Sequence, residues 1–277
     1  MDLTPKGYLE RSVKNFMANK TIKIRLDKLL LEKGLASTPE KARALIYSGQ
    51  VRVNHQPAVK PGKAVDPLLP IEIQQSESPY VSRGGLKLEK ALDFFGIHVQ
   101  NKVALDIGAS TGGFSHCLLL RGIERLYAVD VGYGQLAWTI RQDPRVAVLE
   151  RKNVRTLMLN EIGEQADLIV IDTSFISLRL VVPPLMPILK DQGEIVALIK
   201  PQFEVGKGRV GKGGIVRNEA DQREAVETLT RFFREIGLSI LGTVESPIQG
   251  AKGNREYFIY LKKGDYSHEI SGTSRTD

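Results

Sequence analysis

The sequence predicts an α/β chain: a large domain built on a seven-stranded, mostly parallel sheet, preceded by a small α+β domain. Two observations carry this. From residue 103 onward, short continuous apolar runs alternate with helix-like stretches, as expected for strands buried on both faces by crossover helices. Before residue 75 the pattern differs, with two short helical stripes followed by a short alternating run. A length of 277 residues suits one large domain plus a small one.

Residues 1–20 form a polar leader, and residues 21–74 form the small domain. Leu26, Leu29, Leu30 and Ala36 bracket its first helix, with Gly34 as the stop. At Ser37 the run S-T-P-E reads as a capping box that starts a second helix, with Glu40 at the N3 position and Pro39 in the first turn. Ala42, Leu45 and Ile46 supply its apolar stripe, and Gly49 ends it. QVRVN then alternates as a strand should, with Val51 and Val53 inward. Residues 75–79, QSESP, read as a polar linker. The large domain occupies 80–263, and the polar tail 264–277 is expected to be disordered.

Within the large domain the strand-like stretches are 103–108, 125–132, 146–150, 166–174, 193–201, 239–246 and 255–263. Helix-like stretches include 113–121 and 218–236. The loop between the last two strands has no room for a helix, so these should pair antiparallel at a sheet edge.

Composition excludes several function classes. No apolar stretch is long enough to cross a bilayer, and no secretory h-region follows the start. One cysteine and four histidines offer neither a disulfide nor a metal-ligand cluster. A reduced, cytoplasmic setting and a monomer are the simplest expectations. The net charge of +7 is uneven: residues 1–78 hold 13 Lys/Arg against 8 Asp/Glu, and the rest hold 26 against 24. A basic N-terminal quarter fits a polyanionic partner, and it equally fits a solvated surface.

The run VALDIGASTGGFSHCLL is a strand, a glycine-rich turn and a helix. Its D-x-G-x-x-x-G-G spacing is neither the dinucleotide fingerprint G-x-G-x-x-G nor a P-loop. Asp130 ends the second strand about 20 residues later, where an acid can meet ribose hydroxyls or cap a helix. Asn153 follows the third strand, where it could reach an adenine. Four charged residues sit where a solvated surface would not place them. Asp172 and Lys200 end apolar strands, Glu256 opens the last strand, and Lys87 lies on an amphipathic helix before the first. The carboxyl ends of parallel strands face the ligand crevice, so Asp172 and Lys200 should converge there.

These runs carry resemblances. RLDKLLLEKGLASTPEKARALIYSGQVRVN resembles the S4 RNA-binding domain over nearly all of residues 24–74. That resemblance implies phosphate contacts at Arg25, Lys28, Lys41 and Arg43. LDIGASTGGF resembles the first motif of class I (Rossmann-like) S-adenosylmethionine methyltransferases, which implies cofactor contacts at Asp106, Gly108, Ser110, Thr111, Gly112, Gly113, Phe114, Asp130 and Asn153. The set Lys87, Asp172, Lys200 and Glu256 resembles the catalytic tetrad of FtsJ-type 2′-O-ribose methyltransferases. With the S4-like domain in front, the runs YVSRGGLKL, IDTSFISL, LIKPQFE and GNREYF are similar to the TlyA (hemolysin A) family. FtsJ enzymes usually carry a proline where Ala109, Ser110 and Thr111 stand here, a change the TlyA group shares.

The resemblance implies methylation of a ribose 2′-hydroxyl in ribosomal RNA, with rRNA or ribosomal subunits as partners and no metal. Lys200 would activate the hydroxyl or stabilise its alkoxide, Asp172 would orient Lys200, and Lys87 and Glu256 would hold the ribose and its phosphate. Arg83 would be a further RNA contact, and Phe203 could stack on a flipped base. The glycine-rich, basic run 200–218 reads as a substrate-binding lid or as a flexible loop. Pseudouridine synthase, the main rival on an S4-bearing chain, needs a mixed antiparallel fold that the strand–helix alternation contradicts. A membrane-active hemolysin lacks a pore-forming pattern. An RNA-binding relic without catalysis would not need all four charged residues.

Overall fold

A computed structural model describes residues 23–47, 49–58, 60–74, 78–250 and 253–264. The expected leader 1–20, residues 75–77 of the linker and the tail beyond Gly264 lie outside the described residues. The chain separates into two compact units, Met1–Gln75 and Ser76–Asp277.

In the first unit, strand β1 (Ile24–Arg25) leads into helix α1 (Leu26–Glu32), and helix α2 spans Pro39–Tyr47. Strands β2 (Val51–Val53), β3 (Gln56–Pro57), β4 (Ala64–Val65) and β5 (Ile71–Ile73) follow. They form two small antiparallel sheets, β1–β4 and β3–β2–β5. Leu26, Leu29, Leu30, Ala42, Ile46, Val51 and Val53 build one core, as their spacing requires. The start of α2 differs by one residue from the expectation at Ser37. The Lys41 N–H donates to Thr38 Oγ1 at 3.2 Å, and Pro39 opens the helix.

In the second unit helix α3 (Gly84–Phe95) precedes β6 (Val103–Ile107), α4 (Gly113–Leu120), β7 (Arg125–Val129), α5 (Trp138–Arg141) and β8 (Val146–Leu149). Then come α6 (Leu159–Ile162), β9 (Ala166–Ile171), α7 (Leu178–Val181), β10 (Leu189–Ile199), α8 (Pro201–Glu204), α9 (Glu219–Glu235), β11 (Leu238–Glu245) and β12 (Tyr257–Lys263). The seven strands form one sheet in the order β11-β12-β10-β9-β6-β7-β8. β12 alone runs against its neighbours, pairing antiparallel with both β10 and the edge strand β11.

The sheet carries a core on each face. Ala104, Leu168, Val196 and Phe258 pack with α3 and α4 residues such as Leu88, Leu92 and Leu118. Leu105, Ile169, Ile195 and Ile259 pack with Val181, Leu229 and Phe233. This is why the strands read as unbroken apolar runs.

The strand boundaries shift from expectation by up to four residues, and β10 shifts at both ends. β10 begins at Leu189, because Leu189 pairs with Ala166 before an irregularity that ends at Glu194. It stops at Ile199, because Pro201 has no N–H to give the ladder and opens α8 instead. Among the described residues, no helix is long and apolar enough to cross a membrane.

Candidate active site

Strand order reverses between β6 and β9, since β7 and β8 extend to one side and β10 to the other. A crevice opens beyond the carboxyl ends at such a switch point. Here it is a pocket of about 500 Å³ lined by residues that include Gly108, Ser110, Asp130, Gln135, Lys152, Asn153, Asp172, Ser174 and Phe175. Gly108, Asp130 and Asp172 each stand one residue past the end of a strand, where the chain leaves the sheet beside the crevice.

Gly108 has φ +87, and a Cβ added there would lie 2.6 Å from the Asp172 carbonyl oxygen. Both the torsion and the close approach require glycine. Asp130 receives two backbone N–H groups, from Ser110 at 2.8 Å and from Gly132 at 2.6 Å. Its carboxylate is thereby aimed from the end of β7 with lone pairs to spare for a ligand's hydroxyls. Asn153 caps a short 3₁₀ turn, its Oδ1 accepting the Arg155 N–H at 3.0 Å.

The second half of the glycine loop turns away from the pocket. Thr111, Gly113 and Phe114 are buried, and the Thr111 carbonyl accepts the Ala137 N–H. A Cβ on Gly112 would lie 2.9 Å from a Leu136 methyl, and one on Gly113 2.2 Å from Ser82 Oγ. Phe114 packs in the core against Phe258. These residues seat the loop against α3 and α5 and do not line the cavity. Asp106 is likewise fully buried: Ser115 donates to its Oδ2 at 2.6 Å. Burial pushes its carboxyl up to about 7 despite that bond.

The four charged residues form two pairs. Lys200 Nζ lies 2.6 Å from Asp172 Oδ1 and donates to Ser174 Oγ at 2.9 Å. Lys87 Nζ donates to Glu256 Oε2 at 2.6 Å. Lys200 and Glu256 immediately flank the Ile199–Tyr257 pair of β10 and β12, so the two pairs start from adjacent strand ends. Lys200 and Glu256 are buried, which makes pairing compulsory.

Phe203 sits on α8 with its ring 5.1 Å from that of Phe175. Phe175, not singled out from the sequence, is the outer ring: it is 91% exposed, at φ +66. Only its position between two apolar segments could have signalled it. Gln135, Lys152 and Arg155 also line the pocket without having been expected there. The glycine-rich run after α8 is pinned. Asn254 is buried, its Oδ1 accepting the Val216 N–H at 3.0 Å and its Nδ2 donating to the Gly214 carbonyl at 2.9 Å.

Of the expected RNA contacts, Lys28 and Lys41 are exposed. Arg25 pairs with Asp27 and Arg43 with Glu40, at 2.7 and 2.8 Å. Exposed pairs of this kind are weak enough for a phosphate to displace the acid. Arg83, in the second unit, is exposed at the start of α3.

Residues 80–263 match the model of the FtsJ-like methyltransferase family, and residues 24–67 match the S4 domain. The 16S/23S rRNA (cytidine-2′-O)-methyltransferase TlyA of Mycobacterium tuberculosis is 47% identical over 86% of this chain and 89% of its own length. The chain belongs to the TlyA family of FtsJ-like methyltransferases. Another relative, Hemolysin A of Brachyspira hyodysenteriae, is 40% identical over 86% of this chain and 99% of its own. The solved structure of a hemolysin-named protein from Streptococcus thermophilus superimposes with a TM-score of 0.69 at 42% identity, covering 88% of this chain and 90% of that one.

S-adenosylmethionine is the cofactor of FtsJ-like methyltransferases, and the pocket fits it. Gly108 and Asp130 line it, and Asp130 offers acceptors for ribose hydroxyls. Gly108, Ser110, Asp130 and Asn153 would hold it, and the Lys200–Asp172 pair borders the same cavity.

Proposed function

We propose that this FtsJ-like methyltransferase methylates a ribose 2′-hydroxyl of ribosomal RNA, with Lys87, Asp172, Lys200 and Glu256 as its working groups. The observation that carries the reading is the pairing of two buried or nearly buried lysines with carboxylates, Lys200 and Glu256 standing at adjacent strand ends and Asp172 at the edge of the cofactor pocket. The rRNA substrate is supported by the S4 match and by the activity named for the mycobacterial relative.

Bound S-adenosylmethionine supplies an activated methyl on a sulfonium. The residues of this chain must then orient the hydroxyl and manage its proton. Asp172 and Ser174 fix Lys200 from two sides, so its amine is pre-aimed. The 2′-hydroxyl that takes the methyl would give up its proton toward Lys200 or to solvent beside it. In the first case Lys200 acts as base, and in the second its charge stabilises the developing alkoxide. Lys87 and Glu256 hold the ribose and its phosphate. The exposed Phe175, backed by Phe203, offers a face on which the target base can stack. The basic exposed groups of the S4 unit, Lys28 and Lys41 among them, hold the RNA without doing chemistry.

Lys200→Ala tests the reading. The variant should keep its fold and its cofactor affinity and lose methyl transfer on the order of a hundredfold, measured as ³H-methyl incorporated into unmodified rRNA. Lys200→Arg distinguishes the two roles, since a guanidinium cannot accept a proton at neutral pH. Full turnover in Lys200→Ala would remove this site from catalysis.

A further inference from the structure

The segment after Asp172 and the turn after Lys200 meet at three successive places. Lys200 reaches Asp172 and Ser174 at 2.6 and 2.9 Å. One step on, the Phe203 ring lies against that of Phe175. At the far end Glu204 Oε2 accepts the Ser177 hydroxyl at 2.6 Å, and its Oε1 accepts the Leu178 N–H at 2.9 Å.

Between the first and last of these ties the loop passes through Phe175 at φ +66, a left-handed conformation that side chains with a Cβ disfavour. Such a conformation persists only where its surroundings impose it from both sides. Glu204 is the outer restraint, and the tie is directional. Ser177 also caps α7, its Oγ accepting the Arg179 N–H at 3.2 Å, so the hydroxyl proton is committed to Glu204. Glu204 is not among the residues that line the pocket. Burial raises its pKa, so keeping a carboxylate here carries a cost that a spacer would not.

We propose that Glu204 is a positioning residue for methyl transfer: by tying Ser177 and Leu178 to the turn after Lys200, it sets where Asp172, Ser174 and Phe175 stand about the Lys200 amine. The inference rests on the catalytic role proposed for Lys200. Glu204 touches neither the cofactor pocket nor the reacting hydroxyl, so its whole effect passes through the loop.

The test is a double-mutant cycle in the full chain with Glu204→Ala, Lys200→Ala and the double variant. Single-turnover transfer to unmodified rRNA is read beside cofactor affinity by calorimetry. Glu204→Ala should slow transfer on the order of ten- to a hundredfold with cofactor affinity unchanged. In the Lys200→Ala background it should cost nothing more, since residues acting through one group are not additive. Full turnover in Glu204→Ala, with Lys200→Ala inactive, overturns the Glu204 proposal alone. So does a loss that multiplies with that of Lys200→Ala, or one matched by lost cofactor affinity. Full turnover in Lys200→Ala overturns the catalytic reading and this proposal with it. If Glu204→Ala does not fold, Ser177→Ala replaces it in the cycle, and the same outcomes decide.

Discussion

Replacing Asp106 by asparagine should remove a pH dependence from the stability of the large domain. Asp106 lies in β6, fully buried, with Ser115 donating to Oδ2 and no partner for Oδ1 among the described residues. Burial is the largest influence on its carboxyl, and the nearby Asp172 and Asp130 act in the same direction. Together they outweigh Ser115 and push the pKa from 3.8 up to about 7. The folded chain therefore keeps its proton across a window where the unfolded chain has lost it. The resulting stability is fully present below pH ~4 and is lost as the pH rises through about 7. At about 1.4 kcal/mol per pH unit, the whole window is worth about 4 kcal/mol.

Other carboxylates titrate in the same region, so the informative quantity is the difference between wild type and variant. Asparagine keeps an acceptor for Ser115 and cannot ionise. Between pH 5 and pH 8 the wild-type chain should lose about 3 kcal/mol relative to Asp106→Asn. In a domain of this size that corresponds to roughly 6–12 °C in melting temperature. Denaturant melts of both proteins at the two pH values, without cofactor, measure it. Parallel profiles would show that Asp106 is ionised in the folded chain, and the argument from its burial would be wrong.

Three further outcomes are expected. Gly108→Ala must hold a Cβ at φ +87 and 2.6 Å from a carbonyl oxygen; it should cost about 2–4 kcal/mol and weaken cofactor binding, and unchanged melting and calorimetry would refute the cradle. Lys87→Met strands a Glu256 side chain that is 3% exposed; it should destabilise the chain by about 3 kcal/mol in denaturant melts, with Glu256→Gln restoring much of the loss, and additive losses would show that the pair is not coupled. A chain beginning at Tyr80 should keep its cofactor affinity while binding rRNA more weakly and with a shallower salt dependence; an equal salt slope would assign the RNA affinity to the large domain.

The local signals in the sequence were strong wherever one physical cause dominates. Strands sandwiched between two helical layers must be apolar throughout, so all seven of the large domain could be read, to within a few residues. Gly108 and Asp130 were legible because a turn at the end of a parallel strand has few solutions, and the chemistry needs an acid at the next strand end. The lysines and carboxylates at strand ends stood out because an apolar run that ends in a charge is costly unless the charge is paired or used. In the small domain the stripes of α1 and α2 were equally plain, while the cap moved from Ser37 to Thr38 because neighbouring hydroxyls compete for one helix start.

What the tertiary structure alone decided are the relations across distance. Lys87 and Glu256 are separated by 169 residues, and nothing in either neighbourhood says that they share one ion pair. Thr111, Gly112, Gly113 and Phe114 looked like cofactor residues, since a glycine needed for close approach reads the same whether it approaches a ligand or another helix. Ser82 and Leu136 are what Gly113 and Gly112 meet. Asp106 is buried because β6 lies inside the sheet, between β9 and β7, a position set by strand order and invisible in the strand itself. The exposure of Phe175 depends on a left-handed torsion held by ties to α8. Periodicity encodes which face of an element is buried, whereas partner, direction and strain are fixed only when distant segments pack together.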